Sequence, residues 1–216
     1  MSHRGTFESA TLILDRMDQF SFKQSLRQSY LLQRKQLTAE RQQEKALELI
    51  KTIAPLAEFL KSQHIAAYWP IQSEINPLPL IELALKMKKS CYLPALDPLN
   101  EAQLCFVQYR PGDRLVLNRF GILEPIPTLK NVIATSLLEL VWVPVVAFDA
   151  KGQRLGMGGG HYDRSFSFLK QSPKPLGPHL LGIAYEMQQV EALPVDSWDV
   201  PLDAIATEKR YISVKS

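Results

Sequence analysis

Leu140-Val-Trp-Val-Pro-Val-Val-Ala-Phe148 runs directly into Asp149-Ala-Lys-Gly-Gln-Arg-Leu-Gly-Met-Gly-Gly-Gly-His-Tyr-Asp-Arg164. The first stretch is almost continuously apolar, the mark of a strand buried on both faces. The second places four of the chain's ten glycines between Gly156 and Gly160. Glycine accepts positive φ and lets a ligand come close to backbone N–H groups. Successive N–H groups facing one concavity form an anion nest, and a helix start beyond adds partial positive charge. Open α/β sheets bind ligands at the C-terminal ends of their parallel strands, where this turn falls. Arg154 and Arg164 flank it as counter-charges for phosphate, and Asp163 suits a hard cation such as Mg2+. Two familiar phosphate motifs are excluded. The Gly-Lys-Ser/Thr of a P-loop is missing, and a GxGxxG match from Gly156 fails at His161. A glycine run alone also suits a flexible surface turn; the arginines, the aspartate and the preceding strand favour binding.

Outward from this segment, strands and helices alternate. Before it, His64-Ile-Ala-Ala-Tyr-Trp69 reads as a strand ended by Pro70. Asn76-Pro77 starts a helix, with Asn capping and Pro at the first position. Cys91–Pro94 and Leu104–Tyr109 read as short strands. After the glycine turn come a helix, the strand Leu180–Tyr185 and a short strand Ala204–Ala206. Nearer the N-terminus, Ser21 with Gln24 makes a capping-box start, and Phe22, Leu26 and Tyr30 recur at helical spacing. Thr38 caps a second helix from Ala39 to about Thr52, which Pro55 ends. Residues 1–19 read as a disordered or weakly helical extension, and Pro173, Pro175 and Pro178 mark an exposed loop. The pattern predicts one α/β domain with a parallel or mixed central sheet flanked by helices, plus an N-terminal helical pair.

Composition narrows the function classes. The 216 residues are 46% hydrophobic and 22% charged, ordinary for a soluble globular chain. A net charge of +3 is too small to argue for nucleic acid or an anionic membrane. Seven basic residues between Lys23 and Lys51 outnumber Glu40, Glu44 and Glu48, which fits an anion-binding face or simply a solvated helix surface. Cys91 and Cys105 lie in apolar runs without zinc-ligand spacing, so reduced thiols and a reducing compartment are expected. No apolar run approaches the roughly 20 residues that span a bilayer. A cytoplasmic monomer without membrane or nucleic-acid partners is expected.

Arg154-Leu-Gly-Met-Gly-Gly-Gly-His-Tyr-Asp-Arg164 closely resembles the signature of the 5-formyltetrahydrofolate cyclo-ligase family. Other segments share the resemblance in family order. They are Lys23-x-x-x-Arg27, Tyr68-Trp-Pro-Ile-Gln-Ser-Glu74 with Asn76-Pro77, Val143-Pro144 to Asp149, Leu193-Pro194, Trp198-Asp199, and Asp203 to Thr207. Roughly Phe22 to Lys209 is covered, and residues 20–212 are expected to form the cyclo-ligase domain.

The resemblance implies that ATP is held by Lys23, Arg27, Arg154, Leu155, Gly156, Met157, Gly158, Gly159, Gly160, His161, Tyr162 and Arg164. It implies folate contacts for Trp69, Glu74 and Tyr162, and one Mg2+ shared by Asp163 and Asp199. Arg27, Arg154 and Asp163 would then be catalytic. Each residue also has a plainer reading. Lys23 and Arg27, four apart on a helix, could be a solvated face; Trp69 could be core; Asp199 could be a turn residue. Chemically, a carboxylate suits the donor-rich edge of a pterin, and an indole suits its flat ring. His161 stands where the family usually has Tyr or Phe, so stacking or packing is expected rather than proton transfer. Met157 and Gly159 stand where some relatives carry basic residues. Phosphate charge must then be met by backbone N–H groups, metal and the cations outside the loop.

The implied reaction converts 5-formyltetrahydrofolate and ATP into 5,10-methenyltetrahydrofolate, ADP and phosphate. Such chemistry needs positioning and charge stabilisation rather than a protein nucleophile. Two other classes remain open at this point. One is a related ATP-dependent ligase or phosphotransferase with another substrate; the other is a non-catalytic nucleotide- or RNA-binding module.

Overall fold

The computed structural model describes residues 4–171 and 176–214, with residues 4–16 as helical backbone alone. The first three residues of the expected 1–19 extension, and Pro173 and Pro175 of the proline-rich loop, lie outside the described residues. α1 (Arg4–Lys35) is one helix that crosses residue 19, so Ser21 sits inside it rather than at its start. Between Thr6 and Lys35 there is neither Gly nor Pro to stop propagation. The inward face also differs from the apolar stripe read from sequence. Phe22 is exposed, whereas Leu26 and Tyr30 pack on Val146, Ala147, Leu155 and Leu193.

α2 (Ala39–Ile53) starts where expected. Thr38 is extended at the N-cap, and its side chain accepts a hydrogen bond from Arg41 N. Ala46, Leu49 and Ile53 form its buried face. α3 (Ala57–Lys61) leads into β1 (His64–Ala66). α4 (Leu78–Lys86) begins one residue later than read, with Pro77 at the cap position and Asn76 Oδ1 accepting from Leu78 N. β2 (Ser90–Asp97) and β3 (Asn100–Gln108) form a long hairpin, followed by β4 (Leu115–Leu117), β5 (Leu123–Pro125) and β6 (Val132–Ile133).

The apolar run that opens the sequence reading is two strands, not one. β7 (Leu140–Pro144) lies in the central sheet, while β8 (Ala147–Phe148) turns away to pair with β9 (Arg154–Leu155). Pro144 brings no N–H to the ladder. Beyond it, buried Gln188 donates to the carbonyls of Val145 and Val146, taking the place of a neighbouring strand. Asp149 is also buried; it accepts from Lys151 N, Gln153 N and Leu193 N and so shapes the β8–β9 turn. α5 (His161–Ser165), β10 (His179–Ile183), β11 (Ala204–Ala206) and β12 (Tyr211–Ser213) complete the chain.

The eight-stranded sheet has the order β12-β11-β10-β7-β1-β2-β3-β6. Its centre, β11-β10-β7-β1-β2, is parallel, and antiparallel strands close both edges. Along β7 the side chains alternate between two cores. Leu140 and Trp142 face the α2–α4 side with Leu49, Phe59 and Leu80, and Val141 and Val143 face Phe106 and Phe166. From β1 the chain proceeds to β2 on one side and later returns to β7 on the other. This reversal opens a crevice at the C-terminal ends of β1 and β7, where doubly wound sheets bind ligands.

Candidate active site

A cavity of about 450 Å³ occupies that crevice. Tyr68 and Trp69 enter it from the end of β1, Pro94 and Leu96 from β2, and Pro144 and Val146 from the end of β7. The sequence-predicted residues converge on it. Lys23, Arg27, Trp69, Glu74, Arg154, Leu155, Gly156 through Asp163, and Asp199 all line it. Arg164 does not; its Nε donates to Ala102 O and its Nη2 to Gly159 O, clipping the glycine loop to the β2–β3 hairpin.

The glycine loop follows the β8–β9 ribbon rather than the central strand itself. Gly158 (φ 98°) and Gly160 (φ 64°) take left-handed conformations that other residues adopt at a cost. The N–H groups of Met157, Gly158, Gly159 and Gly160 meet no backbone acceptor among the described residues. They are available donors, as an anion nest requires. α5 is a single turn without a side-chain cap, so a dipole there adds little. α1 supplies a second cation: Arg27 Nε donates to Gly156 O at 2.8 Å, and its guanidinium lies beside Gly158.

The other charges are already paired. Lys23 Nζ lies 2.6 Å from Asp196 Oδ2 and 3.8 Å from Asp199 Oδ2. Arg154 Nη2 lies 2.6 Å from Asp163 Oδ1, and its Nη1 donates to Val200 O. Asp163 Oδ1 also accepts from Val200 N at 3.0 Å. Asp199 Oδ2 accepts from Asp196 N, and Lys170 reaches the Asp199 carbonyl. Lys23 is thus paired with the closing segment through Asp196 and Asp199, and Arg154 with Asp163 of α5.

Mg2+ can be tested against this donor set. Among the described residues no group of three His, Cys, Asp or Glu side chains could hold a metal ion. Mg2+ needs fewer, because one or two carboxylates plus phosphate oxygens and water complete its shell. Asp163 Oδ2 and Asp199 Oδ1 take no hydrogen bond from the described residues, and both side chains line the cavity. The residues fit the ion.

The opposite half of the cavity is aromatic and apolar. Trp69 packs partly on the core, edge-on to Tyr109, and still lines the cavity. Glu74 is buried; burial pushes its carboxyl up to about 7, against the Ile71 N–H and Arg34, which pull it down. The Tyr162 hydroxyl is buried without a partner among the described residues, and burial raises its pKa. His161 sits edge-on to Phe120, and burial together with nearby Arg164 lowers its pKa, which suits a packing role.

Several lining residues escaped the sequence reading. The β4–β5 hairpin roofs the cavity with Asn118, Phe120, Ile122 and Glu124. Asn118 holds this roof, accepting from Phe120 N and Ile122 N and donating to Glu124. The turn Asn118-Arg-Phe-Gly121 between two apolar runs was the available signal. Asp196, Phe20 on α1 and the exposed Trp198 also line the cavity.

Fold and site together define an α/β protein whose crevice joins a half lined by the glycine loop and Arg27 to an aromatic half. A 5-formyltetrahydrofolate cyclo-ligase family model matches residues 19–208, and the chain belongs to that family. It is 37% identical over 180 residues to the 5-formyltetrahydrofolate cyclo-ligase of Escherichia coli, covering 82% of this chain and 95% of that one. It is 38% identical over 181 residues to the cyclo-ligase of Haemophilus influenzae, with coverages of 83% and 94%. The fold is similar to the solved structure of Aquifex aeolicus 5,10-methenyltetrahydrofolate synthetase. There the TM-score is 0.75 and the identity 32%, with 90% of this chain and 93% of that chain covered.

Proposed function

We propose that this protein closes the folate ring of 5-formyltetrahydrofolate, using ATP and giving 5,10-methenyltetrahydrofolate, ADP and phosphate. The observation that carries the reading is the shared cavity. The glycine loop with Arg27 forms one wall, and Trp69, Glu74 and Tyr162 form another. A phosphate donor and a flat, donor-rich ring can therefore meet without crossing solvent. The folate-side residues weigh against a relative that keeps only the ATP half. Among the described residues no helix is long and apolar enough to cross a membrane. We take the protein to act in the cytoplasm, as a monomer, through residues 20–212.

The chemical difficulty is that a formamide carbon is a poor electrophile and its oxygen a poor leaving group. Transfer of the γ-phosphoryl group to the formyl oxygen converts that oxygen into phosphate, a good leaving group. N10 then attacks the activated carbon, phosphate departs, and the ring closes. The free N–H groups of Met157 through Gly160, with Arg27 and Arg154, receive the charge spread over the phosphoryl oxygens. Lys23 exchanges part of its pairing with Asp196 for phosphate. Asp163 and Asp199 would hold Mg2+, which supplies charge neutralisation between phosphates. Trp69 and Tyr162 bound the pterin plane, and Glu74 accepts from its N–H edge.

The test is the near-ultraviolet absorbance of the methenyl product, followed with and without ATP and Mg2+. ATP- and Mg2+-dependent product formation is expected. No product with 5-formyltetrahydrofolate, in a folded protein that binds ATP, would overturn the reading.

A further inference from the structure

We infer that Arg34, in the last turn of α1, is a positioning residue for Glu74: its buried guanidinium favours the charged form of that carboxylate and holds it as the folate acceptor. The inference rests on the folate reading of Glu74 above. Arg34 is fully buried (0% exposed), and Nε, Nη1 and Nη2 all lack a hydrogen-bond partner among the described residues. Its Nη1 lies 3.9 Å from Glu74 Oε1, an ion pair too long for a hydrogen bond. The other oxygen, Oε2, is committed to Ile71 N at 3.1 Å. Oε1 therefore keeps Arg34 as its charged partner, and Glu74 lines the cavity.

Charged and titratable neighbours come from four elements. Arg34 approaches from α1. Tyr68, beyond β1, commits its own proton to the Ile75 carbonyl at 2.6 Å. Tyr162 on α5 and Tyr185 beyond β10 have buried hydroxyls without partners among the described residues. Of these groups only Arg34 carries positive charge. Burial drives the Glu74 carboxyl toward its neutral form, and Arg34 opposes that drive. Without the guanidinium, Glu74 would hold its proton to higher pH than about 7 and more often present a donor where the pterin edge also presents donors.

Stability alone gives no reason for this arrangement. A guanidinium stays charged, and burying it with its donors unsatisfied is costly. An apolar side chain of similar volume in its place is often neutral or stabilising. Arg34 also continues the α1 face that carries Lys23, Arg27 and Tyr30, at helical spacing. One helix would thus serve both halves of the cavity, phosphate through Arg27 and folate through Glu74.

The test compares the full chain with Arg34→Met, Arg34→Lys and Glu74→Gln between about pH 6 and pH 9, spanning the Glu74 value with His-range margins. KM for 5-formyltetrahydrofolate and for ATP is measured, and the Glu74 carboxyl is titrated by carbon-13 NMR. Arg34→Met is expected to raise the folate KM by about fivefold at pH 7, the loss of ionised Glu74 that a rise of about one unit from about 7 gives. The increase should shrink as pH rises, while the ATP KM changes less than about twofold, within the scatter of a residue not touching ATP. The Glu74 midpoint should rise by about one unit, and Arg34→Lys should restore much of it. If Arg34→Met does not fold, Arg34→Gln carries the same comparison. A folded, uncharged variant with the wild-type folate KM and Glu74 midpoint would reduce Arg34 to packing. An unchanged folate KM in Glu74→Gln would overturn the inference at its base, by removing Glu74 from the folate site.

Discussion

Arg27 Nε donates to the carbonyl of Gly156 at 2.8 Å, joining α1 to the glycine loop across 129 positions of sequence. The basic helix, which in sequence fits either an anion-binding face or a solvated one, therefore lines the cavity. Arg27 Nη2 also lies beside Gly158, 3.6 Å from where a Cβ would stand.

Arg27→Ala should lower kcat/KM by about 10²–10³, the scale for losing one transition-state donor. Arg27→Lys should recover part of this, because an ammonium cannot reproduce the guanidinium fork. The melting temperature should fall by only a few degrees, since one hydrogen bond contributes about 1 kcal/mol. A loss of catalytic efficiency below about threefold would leave the loop to bind ATP without α1.

Gly156 and Gly160 separate backbone need from ligand approach. An added Cβ at Gly156 meets nothing within 4 Å, and its φ is unexceptional. Gly156→Ala should therefore fold normally, and any rise in ATP KM would report the ligand itself. Gly160 has φ 64°, and its added Cβ would lie 2.7 Å from Arg164 Nη1. Gly160→Ala should cost about 1–2 kcal/mol of stability and disturb the clip to Gly159 as well. Thermal melts paired with ATP titrations measure both effects.

Asp163→Asn removes a charge that now receives Arg154 and Val200 N. Turnover should fall by more than about tenfold, and the Mg2+ concentration for half-maximal rate should rise, as for loss of one hard oxygen ligand. Arg154 loses its ion-pair partner, so a modest drop in melting temperature should accompany the change. An unaltered Mg2+ titration would restrict Asp163 to holding Arg154.

Glu74 links site chemistry to stability. Its value in the folded protein, about 7, lies above the ordinary 4.5. Between those pH values the folded state holds a proton that the unfolded state has released. Stability therefore decreases as pH rises through that window. Melting temperatures of wild type should decline more steeply from about pH 5 to pH 7 than those of Glu74→Gln, which has no such group to titrate. Parallel curves would mean that Glu74 is ionised throughout.

Much of this protein is legible in local sequence, because the forces concerned act within a few residues. Thr38 announces the start of α2 since an N-cap hydroxyl bonds a backbone N–H three positions on. Leu140 through Val143 announce a strand with two buried faces, and the glycines from Gly156 to Gly160 announce a turn able to receive an anion. What lay beyond sequence depends on chain segments that meet only after folding. The apolar run breaks at Pro144 because Gln188, more than 40 residues later, satisfies the carbonyls beyond it. Lys23 finds Asp196 across 173 positions, so a cation read as waiting for phosphate is already paired. Arg34 is hidden for the same reason. Nothing in its neighbours marks it as buried, and only the packing of α1 on the folded chain removes its charge from water and sets it beside Glu74.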